Sequence, residues 1–491
     1  MTNRHLPLIA SLFAGAALLA GCTTNPATGE RMLSLMSPQE EQQIGAQEHP
    51  KLVQEFGGEY NNADLVRYID SVGQLLARTS ELPDQKFTFT VLDSEIVNAF
   101  ALPGGYVHVS RGLLALANSE AEIAGVMAHE IGHVTGRHSA QRYSQTMGAN
   151  ILSTILGLGL GGIGQQIGQA AGSYYLAGYS QDQEFQADSL GVRYLRRAGY
   201  DAQAMADFLA SLRAQSQLEA AAAGLPPGTV DETDIMASHP RTLDRVQRAM
   251  AEAGGGPPVK DPMEGRDIYL RKIHGMIYGD SPEQGYVRGQ RFIHPALRFA
   301  FEVPQGFKLV NKTSAVQARG PNGAGIIFDM QKAGAGSMAN YMASALGGRK
   351  VPIESITING MEAATASVPV NSSAGARVVR LVAIRFDANQ VARMVFITTP
   401  QQANALSEQL RTTTYSFRKL TAAEAAAIKP QRIAVVRVGT GDTVERLAAR
   451  MAMPDRKVER FRVLNGLQGN EGLRAGQLVK IVVEGNVGPA S

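Results

Sequence analysis

Apolar residues recur at helical spacing through residues 37–80, with interruptions at Pro50 and Gly57-Gly58 and a stop before Pro83. The period then shortens to two. Phe87, Phe89 and Val91 alternate with threonines as in a half-buried strand, and a second strand, Tyr106 to Val109, follows the turn Pro103-Gly104-Gly105. The helical period returns at Ser119, which with Glu122 makes a predicted capping box, and Ile123, Val126, Met127, Ile131 and Val134 follow at helical spacing. A further helix is predicted from Ser180, capped reciprocally by Gln183, to Arg196-Arg197 just before Gly199.

Beyond these elements the pattern changes character. The turn-rich run "AGGGPPVKDP", residues 253–262, marks a domain boundary. Residues 290–420 alternate short β-like runs (Phe299 to Val303, Gly325 to Phe328, Val378 to Phe386, Val391 to Ile397) with one helical stretch, which predicts a small α+β domain with no catalytic constellation of its own. The tail, "VRVGTGDTVERLAARM" through "FRVLNGL" to "LRAGQLVKIVV", reads strand, helix, helix, strand. Its Gly-Asp-Thr turn, its Leu-Asn and its closing Gly-Gln resemble the LysM module, and that resemblance implies binding to peptidoglycan glycan. The predicted class is α+β: a mainly helical domain with a small β-sheet over 22–252, a linker over 253–289, the small domain over 290–420, and the LysM-like βααβ module over 431–485.

Charge removes one class of partner. A net charge of +3, from 47 basic and 44 acidic residues, is near balance and excludes the basic stripe of a nucleic-acid binder. The amino terminus adds another constraint. Arg4 precedes an uncharged apolar run from Leu6 to Ala20, too short to span a bilayer, so residues 1–21 read as a secretory signal. The run ends in Leu19-Ala20-Gly21-Cys22, which resembles the lipobox of bacterial lipoproteins, and Cys22 is the only cysteine in the chain. That resemblance implies acylation of Cys22 and a membrane anchor. With Thr23 rather than Asp next in line, it implies the periplasmic face of a Gram-negative outer membrane.

The chemistry lies in "VMAHEIGHVTGRH", residues 126–138. On a helix, residues four apart share a face, so His129 and His133 present their imidazoles to a single ion, and Glu130 stands beside it. Zinc suits such a pair, because it takes imidazole nitrogens and keeps one position open for water in catalytic sites. Glu130 is then the general base. A third ligand must come from elsewhere, and "SQDQEFQADSLGVRYL" offers Glu184 and Asp188, again four apart. Glu184 is the candidate ligand, while Asp188 orients a ligating histidine or helps with proton transfer.

HEIGH, the later EFQAD, Ser238-His239-Pro240 and the upstream "VNAFALPGGYVHVSRGLL" together resemble metallopeptidase family forty-eight, the HtpX-like and BepA-like zinc peptidases. The resemblance covers roughly residues 30–250. It implies a gluzincin fold with one zinc ion per chain, His129, His133 and Glu184 as ligands, Glu130 as general base, and Asp188 as a supporting residue or proton donor. It also implies an endopeptidase that degrades misfolded or misassembled envelope proteins. The chain departs from HtpX in showing no clear transmembrane helices, and from BepA in lacking an evident repeat of about 34 residues in its carboxy-terminal half. A chaperone-like outer-membrane assembly factor with a mostly closed metal site and a peptidoglycan-directed hydrolase are the alternatives.

Further residues complete the expectation. Asn98, Ala99 and Phe100, ahead of a glycine turn, are expected on an exposed strand edge that binds an extended peptide substrate. In the family an HP pair followed by an arginine lies near the site, which here corresponds to His239, Pro240 and Arg245. His239 is expected to occupy the open metal position, to donate to the oxyanion, or simply to cap a helix. Arg245 neutralises the oxyanion or a substrate carboxylate, or pairs with Asp188 or Glu184. His138, five residues after His133, is rotated off the metal face and reads as a capping or surface residue, and His108 reads as structural. The stretch between Arg142 and Asp182 carries no charge and reads as a mobile segment near the site, a membrane-surface segment or a buried hairpin.

Overall fold

The structure, a computed structural model, describes residues 22–144, 178–222, 224, 245, 247, 248, 251, 255, 259–372 and 375–489. The signal segment, most of the uncharged stretch, and His239 with Pro240 lie outside the described residues. The chain divides into two compact units, one of residues up to 279 together with 431 onward, the other of residues 280–430.

The first unit is organised around the helix Glu120–Thr135. Ser119 accepts the Glu122 amide at its amino terminus, but the Glu122 carboxylate turns away from a reciprocal box and accepts the amide of Asn118 instead, at 2.9 Å. Every residue from Ala121 to Thr135 is buried, so this helix is a central pillar with neighbours on all sides. The amphipathic helix Ala63–Thr79 covers it with Leu65, Ile69, Val72 and Leu76, and the helices Gln181–Ala198 and Gln203–Ala222 close other faces. Two glycines let the acidic helix approach. A Cβ on Gly132 would lie 3.0 Å from the Ala187 carbonyl oxygen, and one on Gly191 would lie 3.2 Å from the His129 amide nitrogen. Larger residues there would hold the helices apart.

A three-stranded sheet borders the same pillar. Thr88–Leu92 runs parallel to Tyr106–Ser110, and Ala99–Leu102 pairs antiparallel with the other side of Tyr106–Ser110, in the register Ala99 to Val109 and Phe100 to His108. Among the described residues Ala99–Leu102 is therefore an edge strand, as the pattern predicts, but all four of its residues are buried rather than exposed. Another difference concerns Pro50, which lies inside the helix Pro38–Glu55 instead of ending it. The buried Leu52 and Val53 hold the turn beyond the proline in place despite the lost hydrogen bond.

The tail has the predicted order: strand Gln431–Arg437, helices Val444–Ala449 and Lys457–Leu464, strand Leu478–Glu484. It does not form a separate body. Its strand Gln431–Arg437 pairs with Ile277–Tyr278, and Ile433, Val435, Phe461, Val479 and Ile481 belong to the same apolar core as the motif helix. Lys480 is fully buried and donates to the carbonyls of Ala115, Leu116 and Ala117 at 2.7, 3.1 and 2.6 Å, closing the end of the short helix Arg111–Leu116. The region 253–289, expected as a linker, holds the helix Arg266–Ile273, whose Tyr269, Leu270 and Ile273 enter that core.

The second unit has its own core of Phe292, Phe299, Phe301, Phe328, Phe396 and Phe417. Seven antiparallel strands form its main sheet, and the predicted runs fall on Gly325–Lys332, Gly375–Arg385 and Gln390–Thr398 of it, with Phe386 one residue past the strand's end. Phe299–Glu302 belongs to a second sheet of four strands. Among the described residues, no helix is long and apolar enough to cross a membrane.

Candidate metal centre

The spacing that places His129 and His133 on one helical face brings their Nε2 atoms to 3.0 Å of each other. Glu184, one turn into the acidic helix, faces both: its Oε2 lies 3.6 Å from His129 Nε2 and its Oε1 3.5 Å from His133 Nε2. The three short separations gather these side chains around one point, and all three residues are buried. Two donors bound to one zinc at about 2.0–2.2 Å cannot be more than about 4.4 Å apart, so these separations fit a single ion. Two imidazoles and one carboxylate are also the donor set of a catalytic zinc site that leaves a fourth position open.

The surrounding charges orient the donors. His129 Nδ1 lies 2.8 Å from Asp188 Oδ1, which places its proton on that side and leaves the Nε2 lone pair for the metal. Arg245, buried, forks onto Asp188 with two bonds of 2.7 Å and reaches Glu184 Oε2 at 2.6 Å. Burial would raise the Asp188 carboxyl, but the Arg245 charge and the His129 bond outweigh it and hold Asp188 well below the usual carboxylate range. Burial likewise works against the Arg245 cation, and the charges of Asp188 and Glu184 overcome it. Of the roles open to Arg245, pairing with both carboxylates is the one its position realises.

Glu130 is buried and lines a cavity of about 20 Å³ with Ala99, Val126, His129, Asp188 and Arg245. That volume admits one water-sized group. Ala99 thus brings the edge strand to the cavity. Phe100 does not: strand alternation turns it to the opposite face, where its ring stacks on His108 at 4.5 Å and joins Leu52 and Leu92 in a small core. Asn98 sits at the strand's start, its amide bonded to the Ser110 hydroxyl at 3.0 Å. His108, expected as structural, is fully buried, and burial pushes its imidazole down to about 3.

Residues 64–253 match the family model of peptidase family M48. The chain carries an M48 peptidase domain. It is 34% identical over 210 residues to a protein of Vibrio cholerae described as a putative beta-barrel assembly-enhancing protease, covering 41% of each chain. It is 32% identical over 222 residues to the beta-barrel assembly-enhancing protease of Escherichia coli K12, covering 43% of each. The chain thus spans less than half the length of these two relatives. With the metalloprotease YcaL of Escherichia coli it shares 26% identity over 265 residues, 52% of this chain and 99% of that one.

The M48 domain also contains contacts that sequence reasoning missed. His138 is fully buried, not at the surface, and its Nδ1 lies 2.8 Å from His133 Nδ1. The helical rotation that would carry it off the metal face does not apply, because the motif helix ends at Thr135 and Arg137 takes a left-handed conformation at φ 54° that swings the chain back. Burial pushes the His138 imidazole down to about 4, which keeps it neutral near neutral pH. Tyr179 stacks on the His133 ring at 3.9 Å. Gly136, directly after Thr135, was the available signal that the helix stops there.

Proposed function

We propose that this protein is a zinc-dependent endopeptidase, anchored by acylated Cys22 at the periplasmic face of the outer membrane, that cleaves misfolded or misassembled envelope proteins. The observation that carries the reading is the convergence of His129, His133 and Glu184 on one point with Glu130 at the adjoining cavity. A zinc ion held by those three side chains supplies a Lewis acid that polarises the scissile carbonyl and lowers the pKa of a water. Glu130 accepts the proton of the attacking water and returns it to the leaving amine. Asp188 fixes the His129 ring, and Arg245 pairs with both buried carboxylates, Glu184 and Asp188, and holds them in place.

The edge strand is the proposed docking line for substrate. A peptide added along Ala99–Leu102 is held by main-chain bonds, which suits substrates of varied sequence, and Ala99 in the cavity wall sets its register. Asn98 belongs to that line as its start, and Phe100 supports it from behind. We assign His239 the role of a reversible contact at the open metal position.

The envelope substrates rest on the relatives described as beta-barrel assembly-enhancing proteases, and the anchor on the single cysteine after the apolar leader. Peptidoglycan is proposed as a further partner, through the loops of the tail.

The test is cleavage of an unfolded outer-membrane β-barrel protein and of its folded form, by wild type and by Glu130→Gln, with and without a chelator. Chelator-sensitive cleavage of the unfolded form by wild type alone is expected. Equal cleavage by Glu130→Gln, or none by zinc-loaded wild type, would overturn the reading.

A further inference from the structure

A run of hydrogen bonds leaves the metal centre on the side away from Asp188. His133 Nδ1 lies 2.8 Å from His138 Nδ1, and His138 Nε2 lies 2.7 Å from Gln186 Oε1. The same oxygen of Gln186 accepts the side-chain amide of Asn25 at 3.2 Å, and that amide also reaches the Gly136 carbonyl at 3.3 Å. Asn25 is itself fixed, because its side-chain oxygen accepts the Ala27 amide at 2.9 Å and its backbone closes the turn to Glu30 and Gly29. That turn joins the paired strands Cys22–Thr24 and Arg31–Leu33.

Only one proton arrangement serves every link. If the Nε2 lone pair of His133 faces the ion, its proton sits on Nδ1 and donates to His138 Nδ1. His138 then carries its own proton on Nε2 and donates it to Gln186 Oε1. A carbonyl-type oxygen has two lone pairs, so it accepts from His138 and from Asn25 at once. The backbone is shaped for the contact: a Cβ on Gly136 would lie 2.5 Å from His138 Nε2. Gln186, two residues after Glu184 and two before Asp188, comes from the same helix as the carboxylates, so one element positions both histidine ligands from opposite sides.

We infer that His138, Gln186 and Asn25 are positioning residues that fix the tautomer and orientation of His133, and that they tie the metal centre to the hairpin beginning at Cys22. The inference rests on the zinc-peptidase reading and extends it. Asp188 does for His129 what His138 does for His133, with a neutral acceptor in place of a charged one. A hairpin held at the membrane by its first residue then has a direct mechanical link, three residues long, to a metal ligand.

The experiment is chelator competition for zinc on the full chain, for wild type, His133→Ala, His138→Ala, His138→Gln and Asn25→Ala, with nitrogen-15 imidazole spectra of the zinc-loaded proteins. His138→Ala should weaken zinc by about 10–100-fold, the range for loss of a group that orients a ligating histidine. His138→Gln keeps an acceptor and a donor and should recover most of that loss, while Asn25→Ala should weaken zinc several-fold. In wild type, the His133 spectrum should show its proton on Nδ1, hydrogen-bonded. If wild type binds zinc, His133→Ala does not, and His138→Ala and Asn25→Ala both bind as tightly as wild type, the relay is refuted and the metal site stands. If wild type itself binds no zinc, both fall.

Discussion

Removal of the Arg245 charge by Arg245→Met tests the electrostatics of the centre. The guanidinium is 1% exposed and bonds two carboxylates that are 0% and 5% exposed, at 2.6 and 2.7 Å. Without it the metal-free protein must hold Glu184 and Asp188 uncompensated in a water-poor interior. Breaking a buried pair from one side costs about 3–5 kcal/mol. At roughly 2 °C per kcal/mol for a large domain, the metal-free melting temperature should fall by about 6–10 °C. Zinc narrows the difference, because in the variant a dication binding Glu184 no longer meets a cation 2.6 Å from the same carboxylate. The rise in melting temperature on adding zinc should therefore be larger in Arg245→Met than in wild type. Scanning calorimetry in chelator and in excess zinc measures both. A metal-free melting temperature within 1 °C of wild type, to order of magnitude below any buried-pair cost, would refute the reasoning.

Gly132→Ala places a Cβ 3.0 Å from the Ala187 carbonyl and should push the acidic helix outward by tenths of an ångström, weakening zinc by about tenfold in chelator competition while the fold persists by circular dichroism. Lys480→Met leaves the carbonyls of Ala115, Leu116 and Ala117 without their buried donor, and should cost about 3 kcal/mol in urea unfolding. His108 carries a folded-state pKa of about 3 against about 6.5 unfolded, so it is neutral and its contribution intact above pH 6.5, and stability is lost as pH falls from there toward 3. His108→Gln should flatten that acid limb of the unfolding free energy, and an unchanged slope would contradict it.

Much of the centre was legible because it needs only local periodicity. His129, Glu130 and His133 require a helix and nothing more, and Ser180 with Gln183 starts the helix that aligns Glu184 and Asp188. The approach of those two helices is a tertiary event, and its sequence trace is only Gly132 and Gly191, two small residues among many. His138 was misplaced by a rotation argument that assumes an unbroken helix, which the left-handed Arg137 breaks. Asn25 was invisible in the pattern, since its contact with Gln186 spans 161 residues. The tail's strand and helix order follows from its own turns and caps, but its union with the peptidase core depends on Lys480 and on the pairing of Gln431–Arg437 with Ile277–Tyr278. Periodicity inside a segment carries no information about its partner.

Zinc stoichiometry, measured together with casein cleavage, separates the residues that hold the ion from the one that moves a proton. One zinc per chain is expected in wild type and in Glu130→Gln, none in His129→Ala, His133→Ala or Glu184→Ala, and cleavage in wild type alone. Stoichiometric zinc in His133→Ala, or cleavage by Glu130→Gln at the wild-type rate, would contradict the assignment of ligands and base.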